Sequence, residues 1–247
     1  MASKSNGLSA DERPRPSRTY RSALRQRQAH ETRLRVVAAA AELFAEHGYA
    51  GTTLAKIAAG AGVSIETVQA QGPKAALMIA SVEFVAFGVT GDQSVLDLDL
   101  GRRFVAITDR DEALEFIVVE QTAIHERSAR ATRALYGAAA NDPELDGYLG
   151  DLIAGVGRQV RRLLDVCRER GWLRDDVPFD ELVETTVVIS SIETYIRMVH
   201  HDGWSLDAYR NWFRRMLREA VLQPHRSAPA QRSASARRRT PSGNSAR

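Results

Sequence analysis

The short segment from Ile65 to Ala70 groups side chains that suit the reading of base edges. Gln69 can pair with adenine N6 and N7, and Glu66 can accept from cytosine N4. An apolar side chain such as Ile65 or Ala70 can meet a thymine methyl, and Thr67 adds a hydroxyl. Gln71 has a second option, to face inward. Each of these positions also has a plainer use as the solvated face of a helix. Patterns for catalysis are missing. The chain has no Gly-X-Ser-X-Gly, no P-loop and no Glu-X-X-His pair. Asp175-Asp176 lacks a third nearby acid, and His125 reads as a satisfied histidine on an amphipathic helix. No catalytic residue, metal or cofactor is assigned.

Such side chains are useful only on a helix held out from a small core. Thr52 and Thr53 offer hydroxyl caps for a helix over about Leu54–Ala59. Gly60-Ala61-Gly62 breaks it, Ser64 caps a second helix from Ile65 to about Gln71, and Gly72-Pro73 ends that one. This is a helix-turn-helix pattern. Ala58 is small enough for two steeply crossing backbones, and Gly62 tolerates the positive φ of the turn. Ile57, Val63 and Val68 form the small core that locks the second helix on the first. Ile65, Glu66, Thr67, Gln69 and Ala70 then face outward, towards a major groove. Ahead of the pair, Leu34, Val37, Ala38, Ala41, Phe44 and Ala45 recur at helical spacing. They predict a helix from Thr32 to about His47, closed by Gly48, with Tyr49 packing back on its end. Behind it, Pro73 suits the first turn of a helix to about Phe87.

The stretch VVAAAAELFAEHGYAGTTLAKIAAGAGVSIETV, from Val36, closely resembles the DNA-binding domain of the TetR family of transcriptional regulators. The alanine-rich helix ending in Leu-Phe, the Gly-Tyr corner, the Thr-Thr pair, the Ala-Gly-Val-Ser turn and the recognition-helix Thr occur in order. The resemblance implies that Thr53, Thr67 and Lys74 contact phosphate, although Thr53 has the alternative of being a cap alone. It departs in one place. The family's Tyr position is Gln69, its Phe position is Gly72, and Lys74 arrives one residue early. A side chain that bonds phosphate and one that anchors the recognition helix are thus replaced.

The chain has 247 residues and a net charge of +3, unevenly spread. Residues 1–31 carry seven Lys/Arg against three acids, residues 81–223 carry 17 against 25, and residues 224–247 carry six Arg and no acid. An acidic body with basic ends fits a polyanionic partner, although a basic tail can also be merely solubilising. The expected organisation is a flexible basic arm over 1–30, a helix-turn-helix domain over 31–80, a helical body over 81–223 and a disordered Arg-rich tail over 224–247. Arg13, Arg15, Arg18, Arg21, Arg25 and Arg27 of the arm are placed to reach a minor groove or phosphates. No run approaches eighteen apolar residues, no signal-peptide core opens the chain, and Cys167 is the single cysteine. These features predict a cytoplasmic protein with no membrane partner.

The whole therefore reads as all-α: an N-terminal helix-turn-helix domain joined to a helical ligand-binding and dimerisation domain. One long or two abutting helices are expected over about 111–140, and single helices from Pro143 to about Arg170, from Pro178 to near His201 and from Ser205 to near Leu222. The resemblance implies a homodimer on a double-stranded, pseudo-palindromic operator, acting as a repressor released by a small molecule. It pairs the last two helices with their copies. Val183, Val187, Ile189, Ile196, Trp212, Phe213, Leu217 and Val221 suit that interface or the subunit's own core. Phe84, Phe87, Phe116, Tyr136 and Tyr195 are candidates to line a ligand site, with plain core packing as the alternative. Other readings are a sensor or dimerisation protein that binds DNA weakly, given Gln69 and Gly72, and an all-α enzyme.

Overall fold

The computed structural model describes residues 18–88 and 93–224. The helices run α1 (Arg18–Gly51), α2 (Leu54–Ala61), α3 (Ile65–Gln69), α4 (Lys74–Phe87), α5 (Asp99–Ala106), α6 (Arg110–Ala139), α7 (Pro143–Glu169), α8 (Phe179–Ile189), α9 (Ile192–Tyr195) and α10 (Leu206–Ala220). Among the described residues the only β pairing is an isolated bridge between Leu173 and Leu222. It ties the segment after α10 to the α7–α8 connection.

Two cores share one spine. The head core joins Val36, Ala40 and Phe44 of α1, Ile57 and Ala58 of α2, Val68 of α3, and Leu77 and Met78 of α4. The same cluster takes in Ala131, Leu135 and Ala139 from the C-terminal half of α6, and Leu145 of α7. The body core takes Ala113, Leu114 and Val118 from the other half of α6, with Leu164 of α7, Leu182 and Val183 of α8, and Tyr209, Phe213 and Leu217 of α10. Helix α6 has 30 residues, about 45 Å at 1.5 Å per residue. It therefore passes through both cores.

The boundaries differ from expectation in four places. Helix α2 runs on through Gly60 to Ala61, rather than ending near Ala59, so Gly62 alone breaks it. Helix α1 begins at Arg18 rather than Thr32, so residues 18–30 of the expected flexible arm are helical. The stretch is rich in Ala, Leu, Arg and Gln, good helix formers, and it extends a helix already nucleated by its buried face. Arg13, Arg15 and the tail from residue 225 lie outside the described residues. Helix α3 stops at Gln69 rather than Gln71. The helix expected from Pro178 to His201 breaks at Ser190, where Ser190 Oγ and Ser191 Oγ bond local backbone. Such bonds compete with the helical ladder. The segment then continues as α9 and a π-turn over Ile196–His201. At Gly48 the expected helix closure is present as a kink (φ 69°, ψ 176°), a conformation open to glycine.

Candidate functional site

The helix-turn-helix is built from local caps. Thr53 Oγ1 accepts from Lys56 N at 3.2 Å and starts α2. Thr52, fully buried, places its hydroxyl 2.8 Å from Gly48 O and 3.1 Å from Leu43 O. The Thr-Thr pair thus divides its work: Thr52 fixes the corner below α1, and Thr53 caps α2. Gly62 closes α2 in the left-handed conformation (φ 64°, ψ 40°). Ser64 Oγ accepts from Thr67 N at 3.2 Å and starts α3. Val68 is the buried residue of α3, against Ile57 and Ala58. Gly60 lies close to α1, since a Cβ there would sit 3.4 Å from Ala39 Cβ.

With Val68 facing inward, Ile65, Glu66, Gln69 and Ala70 are exposed, and Thr67 is half-buried with its hydroxyl 3.1 Å from Ser64 Oγ. Bonds from its own backbone N–H and from Ser64 hold the Glu66 carboxyl below the usual range. It is therefore an acceptor at neutral pH, suited to a base amine and repelled by phosphate. Gln71 is half-buried; its amide reaches Thr67 O at 3.4 Å, and its own carbonyl accepts from Arg33 Nη1 at 3.3 Å. Lys74 is half-buried as well. Its ammonium donates to Tyr49 O at 3.0 Å and Thr52 O at 3.2 Å, and stands 4.0 Å from the centre of the Tyr49 ring. Two of its three donors are thereby committed to the corner. The Tyr49–Lys74 contact was not foreseen, although Gly-Tyr before Thr-Thr marked the corner. Gly72 takes φ 126°, and a Cβ there would meet only Ala76 at 3.6 Å.

The aromatic candidates for a ligand site do not converge. Phe84 is half-buried and Phe87 exposed on α4. Phe116 packs on Phe104 and lies under the Arg103 guanidinium. Tyr136 donates to Glu193. Tyr195 is buried in a ring cluster with His125 and Tyr209. None of the five lines the apolar cavity of the body. That cavity, about 100 Å³, lies between α6, α7, α8 and α10. On α6 its lining is Arg110, Ala113, Leu114, Ile117 and Gln121, the last four one, two and three helical turns from Arg110. Phe116 is offset about 100° around the helix from Ile117 and so faces elsewhere. An apolar stripe bounded by polar Arg110 and Gln121 was the available signal.

His125, 2% exposed, extends the polar end of this cavity inward. Its Nε2 is 2.8 Å from Gln121 Nε2, and its Nδ1 is 3.4 Å from the Tyr209 hydroxyl. Burial lowers its pKa to about 4. It is a neutral ring among aromatic partners, and no group of three or more potential metal ligands occurs among the described residues. At the other end of the α6 midsection, Arg127 donates to Val85 O at 2.9 Å and Ala86 O at 3.1 Å. It holds the C-terminus of α4 to α6.

Of the expected interface residues, Val183, Ile196, Phe213, Leu217 and Val221 are buried within the subunit. They belong to the body core because α8 turns its apolar face onto α7 and α10, and α10 onto α6 and α8. Val187, Ile189 and Trp212 are half-buried, and Val188 is 65% exposed.

Residues 36–69 match the family model for bacterial regulatory proteins of the tetR family. Solved structures extend the likeness to the body. A TetR-family transcriptional regulator from Mesorhizobium loti shares 15% identity at a TM-score of 0.61, over 78% of this chain and 96% of that one. A transcriptional regulator from Saccharomonospora viridis in complex with choline shares 17% at 0.58, over 79% and 100%. The regulator FadR from Bacillus subtilis in complex with stearoyl-CoA shares 14% at 0.58, over 74% and 96%. No curated protein matches the chain. The chain therefore carries a TetR-type DNA-binding head on the all-α fold of TetR-family transcriptional regulators. No helix among the described residues is long and apolar enough to cross a membrane.

Proposed function

We propose that this chain is a homodimeric repressor that binds a pseudo-palindromic operator and is released by a small molecule. The observation that carries the reading is α3. It is capped by Ser64, docked through Val68, and turns Ile65, Glu66, Gln69 and Ala70 to solvent. Base reading falls to these four, Gln69 foremost. Thr53, Thr67 and the remaining donor of Lys74 serve the phosphates. A two-fold dimer presents two such helices to successive major grooves. The exposed Val188 of α8, with half-buried Val187 and Trp212, supplies apolar surface for it.

The body cavity is the effector site in this reading. Helix α6 lines the cavity with one half and packs on the head with the other, and Arg127 fastens α4 to it. A ligand that favours a shifted α6 shifts α4 and Lys74 with it. A differential affinity of about 1–3 kcal/mol between the two arrangements changes operator affinity roughly 5- to 150-fold. The structural neighbours that hold choline and stearoyl-CoA are bound to very different molecules, so neither supplies the effector of this chain.

Footprinting on the DNA flanking the chain's own gene, with light scattering of the complex, tests the reading. The expected result is a protected pseudo-palindrome with a dimer bound. A monomer bound as a single copy contradicts it, and so does uniform weak binding to unrelated DNA, which favours the weak-binding alternative.

A further inference from the structure

The polar end of the body cavity has spent its hydrogens. Ser190 Oγ donates to Thr186 O at 2.7 Å, and Thr186 Oγ1 donates to Leu182 O at 2.7 Å. Gln121 Nε2 faces His125 Nε2 at 2.8 Å and Ser190 O at 3.5 Å. The Ser190 carbonyl fixes the amide's orientation, because an amide oxygen in that place would oppose another oxygen. Both hydrogens of the Gln121 amide are then committed, and its Oε1 is left to accept. Three side chains from α6 and α8 therefore offer lone pairs and no proton at one corner.

The middle of the wall is apolar: Leu114, Ile117, Leu163, Leu164 and Phe213 among others. Cys167 adds no charge, since burial pushes its thiol up to about 12. The far end holds Arg110, whose Nη1 already donates to Gln223 O at 2.9 Å and whose Nε is 3.9 Å from Asp111 Oδ1. That carboxylate is shared, since Asp111 Oδ1 also lies 3.4 Å from Arg218 Nη2, so the guanidinium is only partly compensated. An anion seated at the polar corner would meet three acceptor oxygens, at the end of the cavity away from that guanidinium. Burying an anion under those conditions is costly. The volume, about 100 Å³, is below the roughly 150 Å³ of an engineered cavity known to hold benzene. It is the size of a single small ring once the side chains relax.

We infer that the cavity takes a neutral, apolar molecule of single-ring size with one O–H or N–H donor, seated on Gln121, Thr186 and Ser190. The inference rests on the cavity being the effector site, but binding is read without DNA. A failure of operator control therefore leaves it standing, and its own failure leaves operator binding standing.

The test titrates the full-length protein with a matched set: p-cresol, 4-methylanisole and p-toluate. Calorimetry or thermal shift reads the affinities. One hydrogen bond is worth roughly a three- to tenfold difference in affinity. The expected result is p-cresol tighter than 4-methylanisole by about that factor, with p-toluate weakest. Thr186→Val, nearly isosteric, and Gln121→Leu should each reduce the preference for p-cresol while leaving 4-methylanisole affinity nearly unchanged. Thr186→Val keeps the test valid should Gln121→Leu fail to fold. Equal binding of p-cresol and 4-methylanisole overturns the inference. So does tighter binding of p-toluate, or no binding of any of the three by the folded protein.

Discussion

Val68→Ala isolates what holds the recognition helix in place. Val68 is fully buried and is the buried residue of the five-residue α3. The substitution removes two methyl groups, at about 0.8 kcal/mol each in transfer, and leaves a void beside Ile57. The expected cost is about 1.5–3 kcal/mol. Too short to be helical by itself, α3 depends on this contact and the Ser64 cap. Much of the loss should therefore appear as undocking of α3 rather than as global unfolding. If α3 must be docked to bind, apparent operator affinity falls with the docked fraction, by up to about 150-fold were the whole cost to fall on docking. Fluorescence anisotropy with an operator fragment, paired with thermal melts, measures both quantities. Ile65→Ala, at an exposed position, is the control and should leave stability within about 0.5 kcal/mol. A Val68→Ala protein with a lowered melting temperature but unchanged operator affinity would refute the reasoning, because α3 would not be the DNA-contacting element.

Other outcomes follow from single contacts. In Gly101→Ala, the new Cβ would lie 2.0 Å from Val95 O and 2.5 Å from Leu96 Cα; denaturation curves should show a loss of about 3 kcal/mol, and a wild-type curve would contradict that packing. His125 is neutral when folded, with a pKa of about 4 against 6.5 in a free histidine. The unfolded chain binds its proton more readily, so this contribution is complete above pH 6.5 and is lost as pH falls towards 4, by roughly 3 kcal/mol at most. His125→Gln should flatten urea-denaturation stability between pH 7.5 and 4.5, and an unchanged slope would remove His125 from the account. Arg127→Ala frees the α4 C-terminus and should shrink effector-induced operator release several-fold in an anisotropy assay, with operator affinity in the absence of effector little changed; full release in this variant would show that the coupling runs elsewhere.

The head was legible in the sequence because its signals are local. Ser64, Gly62 and the Thr-Thr pair set caps and turns through bonds within a few residues, and Ile57 and Val68 lie only eleven residues apart. Even there, the engagement of Lys74 with Tyr49 and Thr52 spans more than twenty residues and went unread. In the body, helix periods gave the extents of α6 and α7 nearly whole, though not whether the first was one helix or two abutting ones. The break at Ser190 was hidden in a continuous apolar pattern, since serine hydroxyls can either cap or back-bond. The cavity was missed for a different reason. Aromatic residues advertise burial, but a cavity is where large side chains fail to meet, and Phe116, Tyr136 and Tyr195 each found partners of their own. Buried Val183, Phe213 and Leu217 show the same ambiguity, because an apolar helix face does not declare which neighbour covers it.

The most direct test is base preference, measured by selection from randomised duplexes for the wild-type chain and for Gln69→Ala. The account predicts a pseudo-palindromic consensus, with Gln69→Ala losing roughly 1–3 kcal/mol of discrimination at one position of each half-site and keeping the rest. If the consensus is absent, or if Gln69→Ala binds every sequence more weakly with its preference unchanged, then the exposed face of α3 does not read bases through Gln69.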